Sequence, residues 1–174
     1  MRALTDAARL REFMEALGRE ARAYTRVYFT GGASAVLLGW RAATIDADIK
    51  VVPDRDDVFR ALPAIKERLR INVELAAPSD FIPELPGWKD RSPFIAREGL
   101  VSFHHYDFYS QALAKIERGH AQDRSDVENM LRTGLVDPTR LRDLFHQIES
   151  RLDRYPAIDR AEFARGVEEA LKGR

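Results

Sequence analysis

Cysteine is absent from the 174 residues of this chain. Its absence excludes thiol catalysis, a disulfide framework and zinc sites built on cysteine, and it fits a reducing compartment. Histidine is scarce, with four residues in all. None of them has the spacing of metal ligands, and the adjacent pair His104 and His105 would point to opposite faces of a strand. We therefore assign no zinc site.

The chain also lacks long apolar runs and an excess of charge of one sign. No segment approaches the roughly 18 to 20 apolar residues of a membrane-spanning helix. The first residues, MRALTDAARLREF, alternate charges where a secretory signal needs an apolar core. The 28 basic side chains are balanced by 28 acidic ones, which argues against bulk electrostatic binding to nucleic acid but leaves room for a local basic groove. We expect a cytoplasmic protein with no membrane partner.

Internal repeats, low-complexity tracts and Gly/Ser linkers are missing as well. A chain of this length with 45% hydrophobic residues suits one ordinary globular domain. We predict a single domain over residues 1–174. It comprises an α/β core with an N-terminal helix over 1–110 and a set of C-terminal helices over 111–174.

The spacing of the apolar residues predicts the secondary structure. A helix ends near Gly18, where the apolar spacing changes from a helical period to that of a strand. The predicted strands are 26–30, 43–52, 70–75 and a hairpin of 93–97 with 100–108. The later helices are 33–40, 56–69, 112–118, 125–132, 138–152 and 160–171. This order predicts an α/β (α+β) fold, with a mixed sheet flanked by helices and a helical C-terminal part.

Two acidic residues share one face of the predicted strand 43–52. Asp46 and Asp48 alternate with apolar residues, so both carboxylates project to the same side, within reach of a common cation. Hard divalent ions such as Mg²⁺ prefer oxygen ligands. A solvent-facing polar side of the strand would explain the pattern equally well. Thr44 and Lys50 are predicted to lie on the same face as the two aspartates. The opposite face is predicted to carry Ile45, Ala47, Ile49 and Val51.

A Gly31-Gly32 pair lies between the predicted strand 26–30 and a short apolar helix. Glycine lets backbone N–H groups approach an anion closely, a helix N-terminus favours negative charge, and the hydroxyl of Ser34 adds a donor. The pair is thus a candidate phosphate site. A simple tight turn is the alternative explanation.

A third carboxylate, Glu74, alternates with Asn72 on the predicted strand 70–75. If that strand neighbours 43–52, three acids converge on one sheet face, which matches a site for metal-assisted phosphoryl or nucleotidyl transfer. Glu74 could instead be a solvated edge residue. A carboxylate farther than about 8 Å from Asp46 and Asp48 could not share their metal ions.

The Gly-Gly pair, the short apolar helix, Arg41 and the Thr-Ile-Asp-Ala-Asp of 44–48 resemble the nucleotidyltransferase superfamily. Its members share a Gly-Gly or Gly-Ser turn followed by Asp-x-Asp. The chain is more closely similar to small members, namely abortive-infection toxins of toxin-antitoxin pairs and nucleotidyltransferase-like proteins of unknown function. Residues 114–118, AKIER, and 122–127, QDRSDV, resemble the lysine helix and the Arg-Asp-x-x-Asp-like stretch of that group. The likeness spans about 27–131.

The resemblance implies a role for each matching residue. Asp46 and Asp48 would ligate Mg²⁺, and Glu74 would take the place of the third acid, which assists the incoming hydroxyl. The implied nucleotide-binding residues are Gly31, Gly32, Ser34, Arg41, Thr44, Lys115, which would neutralise the triphosphate, and Arg118 and Asp126, which would line the same cleft.

Two features depart from the family pattern. Asp123-Arg124 reverses the expected Arg-Asp order. Glu74 corresponds to the third acid of the family only by its order in the chain and by the alternation of its strand, not by a motif. Physical chemistry offers plainer roles for the second half. Asp123 could cap a helix with Asp126 at its third position, and Lys115 and Arg118 could form a solvated helix face.

The predicted function is Mg²⁺-dependent transfer of a nucleoside monophosphate from a nucleoside triphosphate to a hydroxyl acceptor. By the resemblance alone, the acceptor would be RNA, such as tRNA, or a protein side chain, and the chain would be a toxin with a separate antitoxin protein as partner. One alternative is a non-catalytic member of the same fold that binds nucleotide or a partner protein. Another is a structural module in which Asp46 and Asp48 are merely solvated.

Overall fold

The computed structural model describes residues 3–174, which divide into two compact units. The first unit contains the residues up to Ala77 together with Ser92–Tyr106. The second contains Pro78–Arg91 and Asp107–Arg174. The proline-containing segment 78–91 therefore belongs to the second unit, although it lies between strands of the first along the chain.

The first unit is built on a five-stranded mixed sheet with strand order β5-β4-β2-β7-β6. Strand β2 is antiparallel to β4 and parallel to β7, β4 is parallel to β5, and β6 is antiparallel to β7. Strands β1 and β3 form a separate antiparallel pair. The elements of this unit are β1 Thr5–Asp6, α1 Ala7–Glu20, β2 Thr25–Thr30, α2 Gly31–Leu37, β3 Ala43–Thr44, β4 Asp46–Val52, α3 Asp56–Leu69, β5 Asn72–Leu75, β6 Phe94–Glu98 and β7 Val101–His105.

The hydrophobic core of the first unit joins one face of the sheet to helices α1, α2 and α3. Phe13 of α1 meets Phe29 of β2 edge-on, with ring centroids 6.1 Å apart. Strand β4 confirms the predicted alternation, because Ala47, Ile49 and Val51 are buried while Asp46 and Asp48 are half-buried. Ile45 was wrongly predicted to share that core face. It is 48% exposed, because it lies in the break between β3 and β4.

Helix α1 begins at a side-chain cap, whereas α3 has no side-chain hydrogen bond at its N-cap. Asp6 caps α1 by accepting the N–H of Arg9 at 2.9 Å. Helix α3 has the predicted bounds, 56–69, and Arg55 occupies its N-cap position. Asp57, in the first turn of α3, accepts the backbone N–H of Arg22 at 2.7 Å, which joins α3 to the segment that follows α1. Within the part of the chain that the structure describes, no helix has both the length and the apolar character needed to cross a membrane.

The second unit consists of helices and connecting turns. Helices α4 and α5 begin four residues earlier than the predicted 112 and 125, α6 ends before the predicted 152, and α7 matches its predicted bounds. Asp107 explains the first difference, since its carboxylate accepts the N–H groups of Tyr109 and Ser110 and so starts a helix where the sequence pattern had extended a strand to residue 108. The helices are α4 Phe108–Arg118, α5 Ala121–Arg132, α6 Pro138–Glu149 and α7 Arg160–Leu171.

Candidate active site

The polar face of strands β4 and β5 brings the predicted acidic residues together. In the parallel β4–β5 register, Asp46 is the partner of Asn72 and Asp48 is the partner of Glu74. Side chains at partner positions project to the same side of a sheet. The two aspartates and Glu74 therefore share one face of the first unit, with β5 at the edge of the sheet.

The side chain of Asn72 links two of these carboxylates. Its Nδ2 donates to Oδ1 of Asp46 at 2.5 Å and to Oε1 of Glu74 at 3.1 Å. Two oxygens that bond to one nitrogen at these distances lie well within the roughly 8 Å that shared metal ligation allows. Sequence analysis did not single out Asn72, although its alternation with Glu74 already placed both on one face.

The glycine pair lies beside Asp48. Thr30, the last residue of β2, is the register partner of Asp48, and Gly31 follows it with φ of 61°. A Cβ added to Gly31 would stand 3.2 Å from Oδ2 of Asp48, and one on Gly32 would stand 2.2 Å from Oγ1 of Thr44. Glycine at both positions thus lets the backbone pass close to the acidic strand and to β3.

Arg41 and Thr44, two further predicted nucleotide-binding residues, flank this bend. Oγ1 of Thr44 donates to the carbonyl oxygen of Asp46 at 3.0 Å, which connects β3 to the start of β4. Nη1 of Arg41 lies 3.3 Å from the position that a Cβ added to Gly32 would occupy. Both residues are therefore placed at the bend where the sequence predicted a phosphate site.

Ser34 has a different environment from its glycine neighbours. It is buried, and its hydroxyl donates to the carbonyl oxygen of Phe29 at 3.1 Å and lies 3.0 Å from Nδ1 of His105. Burial lowers the pKa of His105 to about 4, with a smaller contribution from the neighbouring His104. The Ser34 hydroxyl thus has hydrogen-bond partners within the first unit. Its contact with a phosphate stays a prediction.

The second unit gathers the predicted residues Lys115, Arg118 and Asp126 into one ionic cluster. Nζ of Lys115 lies 2.7 Å from Oδ2 of Asp126 and 3.5 Å from Oδ1 of Asp123. Arg118 holds Asp123 with two hydrogen bonds of 2.8 and 2.5 Å. The side chains of Lys115, Asp123 and Asp126 are at most 7% exposed. The solvated-face interpretation is therefore wrong for Lys115 and holds only for the exposed side of Arg118.

Asp123 also joins this cluster to the start of α5. His120, not Asp123, occupies the N-cap position, and Asp123 at the third helical position accepts the N–H of His120 at 3.3 Å. Burial alone would raise the pKa of Asp123. The hydrogen bonds and charge of Arg118, the charge of Lys115 and the N–H of His120 outweigh burial, and the pKa lies below its ordinary value.

A divalent cation is the group that the acidic face would hold. Carboxylate oxygens are the ligands that Mg²⁺ prefers, so the donor chemistry of Asp46, Asp48 and Glu74 fits such an ion. As the side chains stand, no three His, Asp or Glu residues among residues 3–174 are grouped closely enough to hold a metal. The amide nitrogen of Asn72 occupies the position between Asp46 and Glu74. Metal ligation by these residues stays a prediction.

Comparison with known protein families identifies a matching family model. The model of the family DUF6036, described as a nucleotidyltransferase of unknown function, matches residues 6–169. The matched region includes the glycine bend, the acidic strands and the ionic cluster of the second unit. Searches of curated proteins and of solved structures gave no significant match.

Proposed function

The chain belongs to the DUF6036 family of nucleotidyltransferases of unknown function, and we propose that it moves a nucleoside monophosphate from a nucleoside triphosphate to a hydroxyl group. The observation that carries this proposal is the placement of Asp48 beside both Glu74 and the Gly31 bend. A nucleotidyl-transfer site needs carboxylates that hold a cation and backbone N–H groups that a phosphate can approach. Both are present within a few ångströms of Asp48.

Each residue of the acidic face has a role in this proposal. Asp46, Asp48 and Glu74 would hold a divalent cation, which would neutralise negative charge on the triphosphate. Gly31 and Gly32 would admit a phosphate group close to the backbone. Glu74 is exposed, so the hydroxyl of a large acceptor can reach its carboxylate from solvent.

The proposed reaction is a single displacement at the α-phosphorus. The acceptor hydroxyl oxygen forms a bond to that phosphorus, and the bond from the phosphorus to the oxygen bridging to the β-phosphate breaks. Pyrophosphate leaves with the electron pair of the broken bond, and the hydroxyl proton passes to a carboxylate oxygen of Glu74 and then to water. The residues act mainly by positioning and by electrostatic stabilisation.

The finer assignments rest on the resemblance described from the sequence. The acceptor is proposed to be RNA, such as tRNA, or a protein side chain, and the chain is proposed to be the toxin of a toxin-antitoxin pair. Lys115 and Arg118 are proposed to face the triphosphate. Their ion pairs with Asp123 and Asp126 instead support a role in holding α4 to α5.

Transfer of label from a nucleotide tests the proposal. The protein is incubated with each α-³²P nucleoside triphosphate, Mg²⁺, total cellular RNA and total cellular protein. We expect label on one class of acceptor with wild type and none with Asp48→Asn. Asp54→Asn, an exposed aspartate outside the site in the same unit, is the matched control and should label like wild type. Wild-type protein that labels no acceptor with any nucleotide would contradict the proposal.

A specific observation favours a second candidate, a non-catalytic module that binds nucleotide or a partner protein. The Asn72 amide fills the position between Asp46 and Glu74, and Lys115 is buried against carboxylates of its own unit. A module of this kind would bind nucleoside triphosphate by calorimetry while transferring no label. Transfer of labelled nucleotide to RNA or protein would exclude a non-catalytic module.

A further inference from the structure

The sheet face that points away from helices α1, α2 and α3 carries every lysine and arginine of the five strands. These three residues are Arg26 of β2, Lys50 of β4 and Arg97 of β6. Lys50 follows Asp48 by two residues and is the register partner of Tyr28, which shares a strand face with Arg26. Ser102 of β7 is the register partner of both Arg26 and Arg97. The register thus places the three basic side chains on one face, as a basic region.

No carboxylate of the strands lies within this basic region. The acidic residues of the five strands are Asp46, Asp48, Glu74 and Glu98. The first three lie on the same face but towards the glycine bend, whereas the Cβ of Glu98 stands 2.5 Å from a Cβ added to Gly18 of α1 and so faces the helices. None of the three basic side chains forms an ion pair with a residue that the structure describes. Their charge is therefore available to an anionic partner.

Aromatic rings accompany these charges. Phe94 is 62% exposed and Tyr24 is 48% exposed. The Arg97 guanidinium lies 5.6 Å from the ring centroid of Tyr24, and Phe94 meets the ring of its register partner His104 edge-on at 5.7 Å. A hydrogen bond from Arg26 is the main cause that lowers the pKa of Tyr24, and the charge of Arg97 adds to it. Both arginines therefore lie beside an exposed ring.

This combination suits a single-stranded nucleic acid better than a protein. Lysine and arginine side chains neutralise backbone phosphates, and exposed aromatic rings stack on unpaired bases. Sheet faces that carry such rings bind single-stranded RNA, because its bases are free to splay out and stack. An acidic peptide would match the charges but has no bases to stack on Phe94 and Tyr24.

We propose that the basic region and the rings of Tyr24 and Phe94 bind single-stranded RNA as the acceptor, an inference that rests on the proposed function. RNA phosphates contact the three cations, and bases stack on the two rings. Lys50 lies on the order of 7 Å from Asp48 along β4, so RNA bound here has its terminal hydroxyl directed towards Asp48 and Glu74. The inference thus selects one of the two acceptor classes.

Fluorescence anisotropy with a labelled single-stranded RNA of about 12 nucleotides, measured without nucleotide at several salt concentrations, tests this inference. With three phosphate contacts, the logarithm of the association constant should fall with the logarithm of salt concentration with a slope of about −2. Arg97→Met should weaken binding and reduce that slope by about 0.7. Phe94→Ala should weaken binding about tenfold and keep the slope, because it removes a stacking ring and no charge.

Two exposed residues outside the basic region provide matched controls. Arg60 is exposed on α3, at the opposite face of the sheet, and Phe81 is 55% exposed in the second unit. Arg60→Met and Phe81→Ala should bind RNA like wild type, and circular dichroism should show that all four variants keep the fold.

Two results would overturn the inference and leave the proposed function standing. One is equal RNA affinity of wild type, Arg97→Met and Phe94→Ala. The other is tighter binding of the same RNA as a duplex, or label transferred to protein alone. Absence of label on every acceptor would instead contradict the proposed function, and the anisotropy series would then still report separately whether this face binds RNA.

Discussion

Asp48 and Glu74 are register partners on the parallel strands β4 and β5, 26 residues apart along the chain. Parallel neighbours need a crossover connection, and helix α3 provides it. The helix returns the chain to the same end of the sheet while packing against α1. The convergence of the acidic residues therefore depends on a helix that contributes no residue to the site.

Replacement of Gly32 by alanine should destabilise the glycine bend. The added Cβ would stand 2.2 Å from Oγ1 and 2.9 Å from Cβ of Thr44, so the Thr44 side chain must move and its hydrogen bond to Asp46 is lost. We expect a loss of about 1 to 3 kcal/mol in the free energy of unfolding, measured by urea denaturation. Adding Thr44→Ala removes the nearest atom and should recover part of the loss. Equal midpoints for Gly32→Ala and wild type would rule out the close packing described at this bend.

Lys115→Met should destabilise the protein, because it leaves the buried carboxylates of Asp123 and Asp126 with one cation fewer. Loss of one partner from a buried ion pair typically costs about 3 to 5 kcal/mol. Adding Asp126→Asn removes the carboxylate closest to the missing ammonium and should restore part of the stability.

Lys172→Met is the control for this series, since Lys172 is exposed in the same unit and should change the unfolding free energy by less than about 0.5 kcal/mol. If Lys115→Met unfolded at the wild-type urea concentration but failed to bind nucleotide, Lys115 would be a ligand of the triphosphate and its ion pairs would be incidental to stability.

The buried histidine His105 should make stability fall as the solution is acidified. Burial lowers its pKa to about 4 in the folded protein, whereas the unfolded chain takes up a proton near pH 6.5. The contribution of neutral His105 to the free energy of unfolding is therefore fully present above about pH 6.5. It decreases as the pH falls towards 4 and is constant below that pH. The decrease is at most about 3 kcal/mol.

Urea denaturation between pH 7.5 and 4.5 measures this dependence. His105→Asn should flatten the profile in that range. His104→Asn should keep most of the slope, because the ring of His104 is only half-buried and burial lowers its pKa less. An unchanged slope in His105→Asn would show that another group is responsible.

Much of the site could be predicted from local patterns. The strict alternation around Asp46 and Asp48 has one structural solution, a strand with one buried face, and β4 has that form. The periodic apolar residues of 56–69 and 160–171 likewise gave the bounds of α3 and α7. These features depend on near neighbours in the chain, and for that reason the sequence reveals them.

Features that depend on distant pairing could not be predicted. No local pattern specifies that β4 lies between β2 and β5, and the placement of Glu74 and Asn72 follows from that order. The burial of Lys115 depends on how α5 packs against α4, whereas helical spacing shows only that its side chain shares a helix face with Arg118. Asp107 was overlooked because the aromatic residues on either side of it are typical of strands.

The central claim is that Asp46 and Asp48, beside the glycine bend, bind nucleoside triphosphate through a divalent cation. Calorimetric titration of wild type and Asp48→Asn with each nucleoside triphosphate, in Mg²⁺ and in EDTA, tests it most directly. We expect wild type to bind at least one nucleotide in Mg²⁺ only, and Asp48→Asn to keep its fold by circular dichroism while losing that binding. Equal binding by both proteins, or binding by wild type that is the same in EDTA, would contradict the claim.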